Sequence, residues 1–236
     1  MRDRLPLLAG FLALALAIGL GAVVLAGGIR DRNRSDAISV TGSAKARIVS
    51  DYIVWNVSVA SQADTPQAAA PRLTKWAAQV RSFLAANGAR PGEVAQDPIA
   101  TETLTDDRNQ VTGYRLTRTF EVRSARVAAV AGLVEKSQQL FGQGVPLQSQ
   151  SPQYVYTKLA DLRPKLLAEA TEDALRRAKV LVEATGSRLG GLRDVDVGVF
   201  QVTAPNSTDV SDYGVYDTST LRKDVTAVVN VSFALK

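Results

Sequence analysis

Residues 5–29 carry no charged side chain: nineteen of the 25 are Leu, Ala, Val, Ile or Phe, and the other six are Gly or Pro. At about 1.5 Å per helical residue such a run reaches across a hydrocarbon layer of about 30 Å. A helix in a water-soluble protein keeps one polar face, and this stretch has none. The first expectation is therefore a single membrane-spanning helix, with residues 1–34 as anchor and linker and residues 35–236 as the folded body. The run exceeds the apolar core of a usual signal peptide, which favours retention. Val24-Leu25-Ala26 also offers short residues for a peptidase, so release by cleavage near Ala26 is the alternative.

Charge near the run does not by itself set its orientation. Arg2 and Arg4 with Asp3 precede it, and Arg30, Arg32 and Arg34 with Asp31 follow it. The positive-inside rule does not favour export of the C-terminal part, but long domains cross largely regardless of neighbouring charge. The expected location is the inner membrane, single-pass, with the soluble domain in the periplasm.

Three scarcities narrow the chemistry. The chain has no Cys, no His, and one Met, the first residue. No disulfide, thiolate nucleophile or imidazole base is available, which excludes Ser–His–Asp and Cys–His hydrolases, His- or Cys-ligated zinc enzymes and thiol redox enzymes. Lack of Cys agrees with an oxidising compartment, and lack of Met beyond residue 1 makes the body poor in oxidation targets. The net charge of +5 is mostly N-terminal: residues 1–34 hold +3, and the other 202 residues only +2. A nearly balanced body is a poor nucleic-acid binder.

Periodicity then supplies the elements. Strands are predicted at 37–42 and 46–60, where Ile53, Trp55, Val57 and Val59 alternate with polar neighbours. Thr65-Pro66 is a cap and first-turn pair, but Pro71 limits the predicted helix to 71–86, with 66–70 as a lead-in turn. Leu73, Trp76, Ala77, Val80, Phe83 and Leu84 form its apolar stripe. A hairpin is predicted from 98–105 and 110–123 around residues 106–109. Ser124 is read as the cap of a second helix that closes near Gly142. A strand at 146–157, a helix at 162–185 lined by Leu162, Leu166, Ala170, Ala174 and Ala178, and strands at 194–203 and 223–235 complete the chain. The expected fold is α+β, a mixed or antiparallel sheet packed with helices, arranged as two β-α-β-β halves. The polar loop 204–221 is long enough to move or to meet a partner.

Sequence motifs assign no catalytic, cofactor or metal residue. There is no P-loop, no G-x-S-x-G and no S-x-x-K; Gly142 and Gly144 begin a G-x-G, but Leu147 stands where a third Gly would be needed. Glu169, Glu172 and Asp173 cluster on one helix face, but Glu172–Arg176 and Asp173–Arg177 read as i,i+4 ion pairs. Asp209, Asp212 and Asp217 miss calcium-loop spacing. Tyr154, Tyr156, Tyr213 and Tyr216 read as sheet or interface residues with a lesser case for sugar stacking, and Asp51 reads as a turn or strand-edge carboxylate.

Several short motifs in order resemble one family. They are Ile38-Ser39-Val40-Thr41-Gly42, Asp51 at the next strand, Gly113-Tyr114, Ala168-Glu169-Ala170, and Asp173-Ala174 with Arg177-Ala178-Lys179. Gly186, Leu189-Gly190-Gly191 and the strand 225–235 follow, and the segment Ser151-Pro152-Gln153-Tyr154-Val155-Tyr156 is similar to one bacterial branch. Over about 37–236 the chain resembles the SIMPL-domain family. The resemblance implies an exported bacterial envelope protein of α+β fold and unassigned biochemistry, with oxidative-stress tolerance and large homo-oligomers known among members. It supplies no catalytic residue. The expectation is a non-enzymatic, membrane-tethered protein whose partners are a second copy of itself and, through residues 5–29, inner-membrane lipid. An envelope glycan- or lipid-binding module is the alternative, and a carboxylate-dependent enzyme a lesser one.

Overall fold

A computed structural model describes residues 37–236. The expected membrane span 5–29 and the linker 30–36 lie outside the described residues. Among the described residues no helix is long and apolar enough to cross a membrane.

The fold is α+β with antiparallel sheets, as the alternation predicts. Its strands are β1 (Ala37–Val49), β2 (Tyr52–Ala63), β3 (Val94–Gln96), β4 (Ala100–Thr105), β5 (Val111–Ser124), β6 (Leu147–Ser149), β7 (Gln153–Val155), β8 (Leu189–Val197), β9 (Gln201–Thr203) and β10 (Arg222–Leu235). Its helices are α1 (Pro66–Ala86), α2 (Val127–Lys136), the single turn α3 (Gln139–Gly142) and α4 (Leu159–Thr185), with a 3₁₀ turn at Pro91–Glu93. The chain divides into two compact units. One contains Ala44–Glu169 and Val199–Ala227; the other contains residues 37–43, Ala170–Gly198 and Val228–Lys236.

The larger unit is built on a six-stranded sheet. β2 and β5 run antiparallel over eleven consecutive pairs, from Ile53↔Ser124 to Ala63↔Tyr114. β3 and β4 add in succession to the free side of β5, and β6 and β7 to the free side of β2. Ile53, Trp55, Val57 and Val59 share one face, because successive strand residues point to opposite sides. Beneath α1 and α2 that face is closed off, and all four side chains are essentially inaccessible to water. The Trp55 indole N–H, which burial would otherwise strand, donates to Ser149 Oγ at 2.9 Å.

The smaller unit stacks the Ala-rich part of α4 with strand segments of β1, β8 and β10. Ala170, Ala174, Ala178 and Val182 are buried, as are Val229, Val231 and Phe233. The approach is close enough to require glycine: a Cβ on Gly42 would lie 2.1 Å from the Ala170 carbonyl oxygen and 2.5 Å from the Ala174 nitrogen. β8 pairs antiparallel with β10 and is an edge strand, with a register shift around Arg193 that leaves it the unpaired extra residue.

Several expectations need correction. α1 begins at Pro66, not 71: Pro71 sits inside it and forfeits only the bond to the Gln67 carbonyl, while Thr65 Oγ1 caps the start by accepting from Ala68 N. The break between the first two strands falls at Ser50-Asp51, not at 43–45. The helix after β5 has Arg126, not Ser124, at its N-cap position and no side-chain cap bond; Ser124 Oγ instead accepts from Arg126 N at 2.8 Å. The predicted strand 146–157 is two short strands split by Gln150-Ser151-Pro152, and 194–203 is the interrupted pair β8 and β9. Finally, the strands do not pair as two consecutive β-α-β-β halves. β6 and β7 join the sheet of β2, while β1 joins β10. Element order is local information and partner choice is not.

Candidate functional site

The densest buried polar chemistry in the larger unit lies where the 204–221 loop meets the start of β10. Lys223 is fully buried, and its Nζ donates to Asp217 Oδ2 at 3.2 Å and to the Thr220 carbonyl. Asp217 also accepts from Ser219 N at 2.9 Å, Ser219 Oγ at 2.6 Å and the Thr220 hydroxyl. Burial alone would raise the Asp217 carboxyl, but these donors together with Lys223 outweigh it and hold the group far below the usual carboxylate range. For Lys223 burial wins instead, lowering its pKa against the pull of Asp217.

Asp224, next in the chain, is 1% exposed and serves a second set of donors. Arg47 Nε reaches Oδ1 at 2.9 Å, Arg47 Nη2 reaches Oδ2 at 3.2 Å, and Lys45 Nζ lies 2.9 Å from Oδ2. Asn206 N donates to Oδ2 at 3.0 Å, and Arg47 Nη2 returns to Asn206 Oδ1 at 3.0 Å. The Arg47 hydrogen bonds, then that from Asn206, set the Asp224 carboxyl far below its ordinary value. Both ends of the loop are thus fastened by charge.

Backbone and amide bonds complete the fastening. Ser50 N donates to Leu221 O, Tyr154 N to Thr218 O, and Asp217 N to Val202 O. Gln201 donates its amide to Ser211 O and accepts from Val215 N. The loop expected to be mobile or partner-seeking has a fixed stem, while its tip presents Val210 and Tyr213 almost wholly to solvent.

A buried lysine with a lowered pKa suggests amine nucleophilicity, but Lys223 Nζ is enclosed and already engaged by a carboxylate and a carbonyl. Its evident work is to neutralise Asp217 inside the fold. The sequence reading missed it, yet a signal exists. Lys223 has the same parity as Val225, Ala227, Val229 and Val231, so it stands on the inward row of β10. A charge there must find a buried partner.

The other sequence candidates do not converge. Asp209 accepts from Ser207 Oγ, whereas Asp217 belongs to the lysine cluster; among the described residues no group of three potential ligands could hold a metal. Asp173 pairs with Arg177 at 2.8 Å, as spacing predicts, but Arg176 pairs with Asp173 and not with Glu172. Glu169 lies 3.9 Å from Lys165. Asp51 accepts from Thr157 N at 2.7 Å and from its hydroxyl at 2.9 Å, a strand-edge role. Tyr216 hydroxyl bonds the backbone of Tyr156, Tyr154 packs on the core, and Tyr213 is bare.

Comparison with known proteins places the chain. The family model SIMPL (DUF541), described as proteins of unknown function, matches residues 38–233, through both units. The chain belongs to the SIMPL family. No curated protein matches it. A crystal structure from Burkholderia cenocepacia, described as an amidohydrolase or peptidase, aligns over 56% of this chain and 34% of that one at 16% identity, with a TM-score of 0.22. The chain spans about a third of that protein's length, and so low a score carries no argument about fold or activity.

Proposed function

We propose that this SIMPL protein is a non-enzymatic envelope component, held in the inner membrane by residues 5–29, whose body outside the cytoplasm self-associates and supports envelope or oxidative-stress tolerance. One observation carries the self-association. Leu192, Val195 and Val197 on edge strand β8 stand in register with Phe233, Val231 and Val229, so they belong to the apolar face of their sheet, yet they are 40–61% exposed. A row of apolar side chains on a free edge is a surface that native proteins usually cover. The uncharged run 5–29 supports the tether, and the absence of Cys and of Met after residue 1 supports service among oxidants.

The bare tip of the 204–221 loop, with Val210 and Tyr213, favours a second reading as an envelope-binding module. Light scattering of the full chain in detergent, together with protease access in spheroplasts, separates the outcomes. A mass of several copies and digestion only after the outer barrier is breached are expected. A monomer at high concentration, or a body protected with cytoplasmic markers, overturns the proposal.

A further inference from the structure

A cavity of about 330 Å³ opens in the larger unit between the end of α1 and the segment that leads into β3. Its floor is apolar, formed by Leu84, Val94 and the fully buried Phe120. Its rim carries Arg81, Arg90 and Gln96.

The wall holding Arg90 is fixed from behind. Glu93 accepts from Arg126 Nε at 2.9 Å, from Ser124 Oγ at 2.6 Å and from Arg90 N at 2.9 Å, and Arg126 Nη2 also ties the Gly88 carbonyl at 2.9 Å. The Arg126 hydrogen bonds, against the effect of burial and with help from Ser124 and Arg90 N, hold the Glu93 carboxyl at about 2. Glu93, beside Val94 in the chain, is therefore committed to Arg126, and no carboxylate lines the cavity. Arg81 donates to the neutral Gln96, and among the described residues neither Arg81 nor Arg90 forms an ion pair with a carboxylate. Two guanidinium groups thus border an apolar hole without an anion.

The other grooves lack this combination. The one beside Val180 and Leu181 has Arg176 and Arg177, but both are paired with Asp173. The one along another side of α1 is bordered by four amides and has a single cation, Lys75, in place of a guanidinium pair.

We propose that the Arg81–Arg90 cavity binds a small amphiphile with a carboxylate head and a single short apolar tail. The tail lies on Leu84, Val94 and Phe120, and the head spans the guanidinium rim. Arginine presents its donors as a planar fork that matches a carboxylate. The volume is at the lower end of the range of about 300–1,000 Å³ for small-molecule sites, which suits one short chain and not a two-tailed lipid.

The test is equilibrium dialysis of octanoate, octanol and octyl phosphate against the full chain in zwitterionic nanodiscs, with empty nanodiscs as the blank. Octanoate should bind about tenfold more tightly than octanol. The double variant Arg81→Gln/Arg90→Gln should bring octanoate down to the octanol level, and because both side chains are exposed its melting temperature should match the parent's. Ala85→Phe, at an exposed helix position lining the cavity, should abolish binding of both. Absence of octanoate binding at millimolar concentration, equal binding of octanoate and octanol, undiminished octanoate binding by the double variant, or tighter binding of octyl phosphate would each overturn the proposal.

Discussion

The two units solve the same problem with opposite materials. In the larger, bulk fills the interior: Trp55, Phe120, Ile53 and Leu73 are buried between a sheet and its helices. In the smaller, helix and strand meet through Gly42, Ala170, Ala174 and Ala178, where backbone approaches backbone. The first arrangement gains stability from apolar area and covers its apolar row completely. The second gains close contact but little area, and its edge strand keeps Leu192, Val195 and Val197 in water. Bulk therefore marks the strand face that its helices cover fully, and small residues the unit whose sheet keeps an apolar row in water.

Opposite substitutions should break this contrast most visibly. Trp55→Ala empties a filled site; it should cost about 3–5 kcal/mol in urea unfolding. Removing volume from the smaller unit should matter far less, with Ala174→Gly costing about 1 kcal/mol. Adding volume there should cost more than removing it. Gly42→Ala drives a Cβ into the Ala170 carbonyl and should cost about 1–3 kcal/mol or more, because the obstacle is backbone and no side chain can swing aside. If Ala174→Gly proved as costly as Trp55→Ala, the contrast would fall.

Next in size are the buried charges of the larger unit. Lys223→Ala leaves Asp217 without its cation and opens a void, at an expected cost of about 3 kcal/mol. Lys223→Met keeps most of the volume, and Asp217 retains the Ser219 and Thr220 donors, so the loss should be smaller. Equal losses for the two variants would show that the ion pair, and not volume, is what Lys223 contributes.

Acid sensitivity sharpens the comparison further. Glu93, held at about 2 against an ordinary 4.5, stays ionised in the folded chain after the unfolded chain has taken up its proton. Its stabilisation is complete above the ordinary value and fades as the pH falls from about 4.5 towards 2, since the unfolded state then binds more protons. Asp217 and Asp224 act in the same direction. Glu93→Gln should cost about 2 kcal/mol at neutral pH, the scale of a charged hydrogen bond, and should flatten the decline below pH 4.5 in denaturant titrations. An unchanged slope would remove Glu93 from the account.

Much of this contrast can be read along the chain. Alternation at Ile53, Trp55, Val57 and Val59 marks a covered strand face, and the Ala170, Ala174 and Ala178 spacing marks a close-packed helix, because both depend on local period. The hairpin turn was legible for the same reason: Asp106 accepts from Arg108 N and Gln110 N within five residues. What sequence could not reveal depends on distant partners. β1 pairs with a strand nearly two hundred residues away, whereas the break at Pro152 carries a local signal, since proline cannot donate to a strand ladder. The candidate chemistry was hidden likewise. Along the chain Asp217 is one of three loop carboxylates; the fold sets Lys223 beside it and brings Arg81 and Arg90, from different elements, to one cavity.

The smallest effect on folding should accompany the largest on assembly. Leu192 and Val195 already face water, so Leu192→Glu/Val195→Glu removes little buried area and should shift stability by less than about 1 kcal/mol. If copies associate through this row, the same double variant places two carboxylates at each contact and should reduce the assembly to a monomer. Direct β8-to-β8 pairing is the less favourable route, because an antiparallel pairing centred on Val195 sets Asp194 of one copy against Asp196 of the next. The contact should then be made through the apolar face, not the strand edge, and Asp194→Asn/Asp196→Asn should leave the mass in light scattering unchanged. Stronger association in that variant would show that the two aspartates restrain an edge-to-edge contact, and the bare row of the smaller unit would lose its claim as the interface.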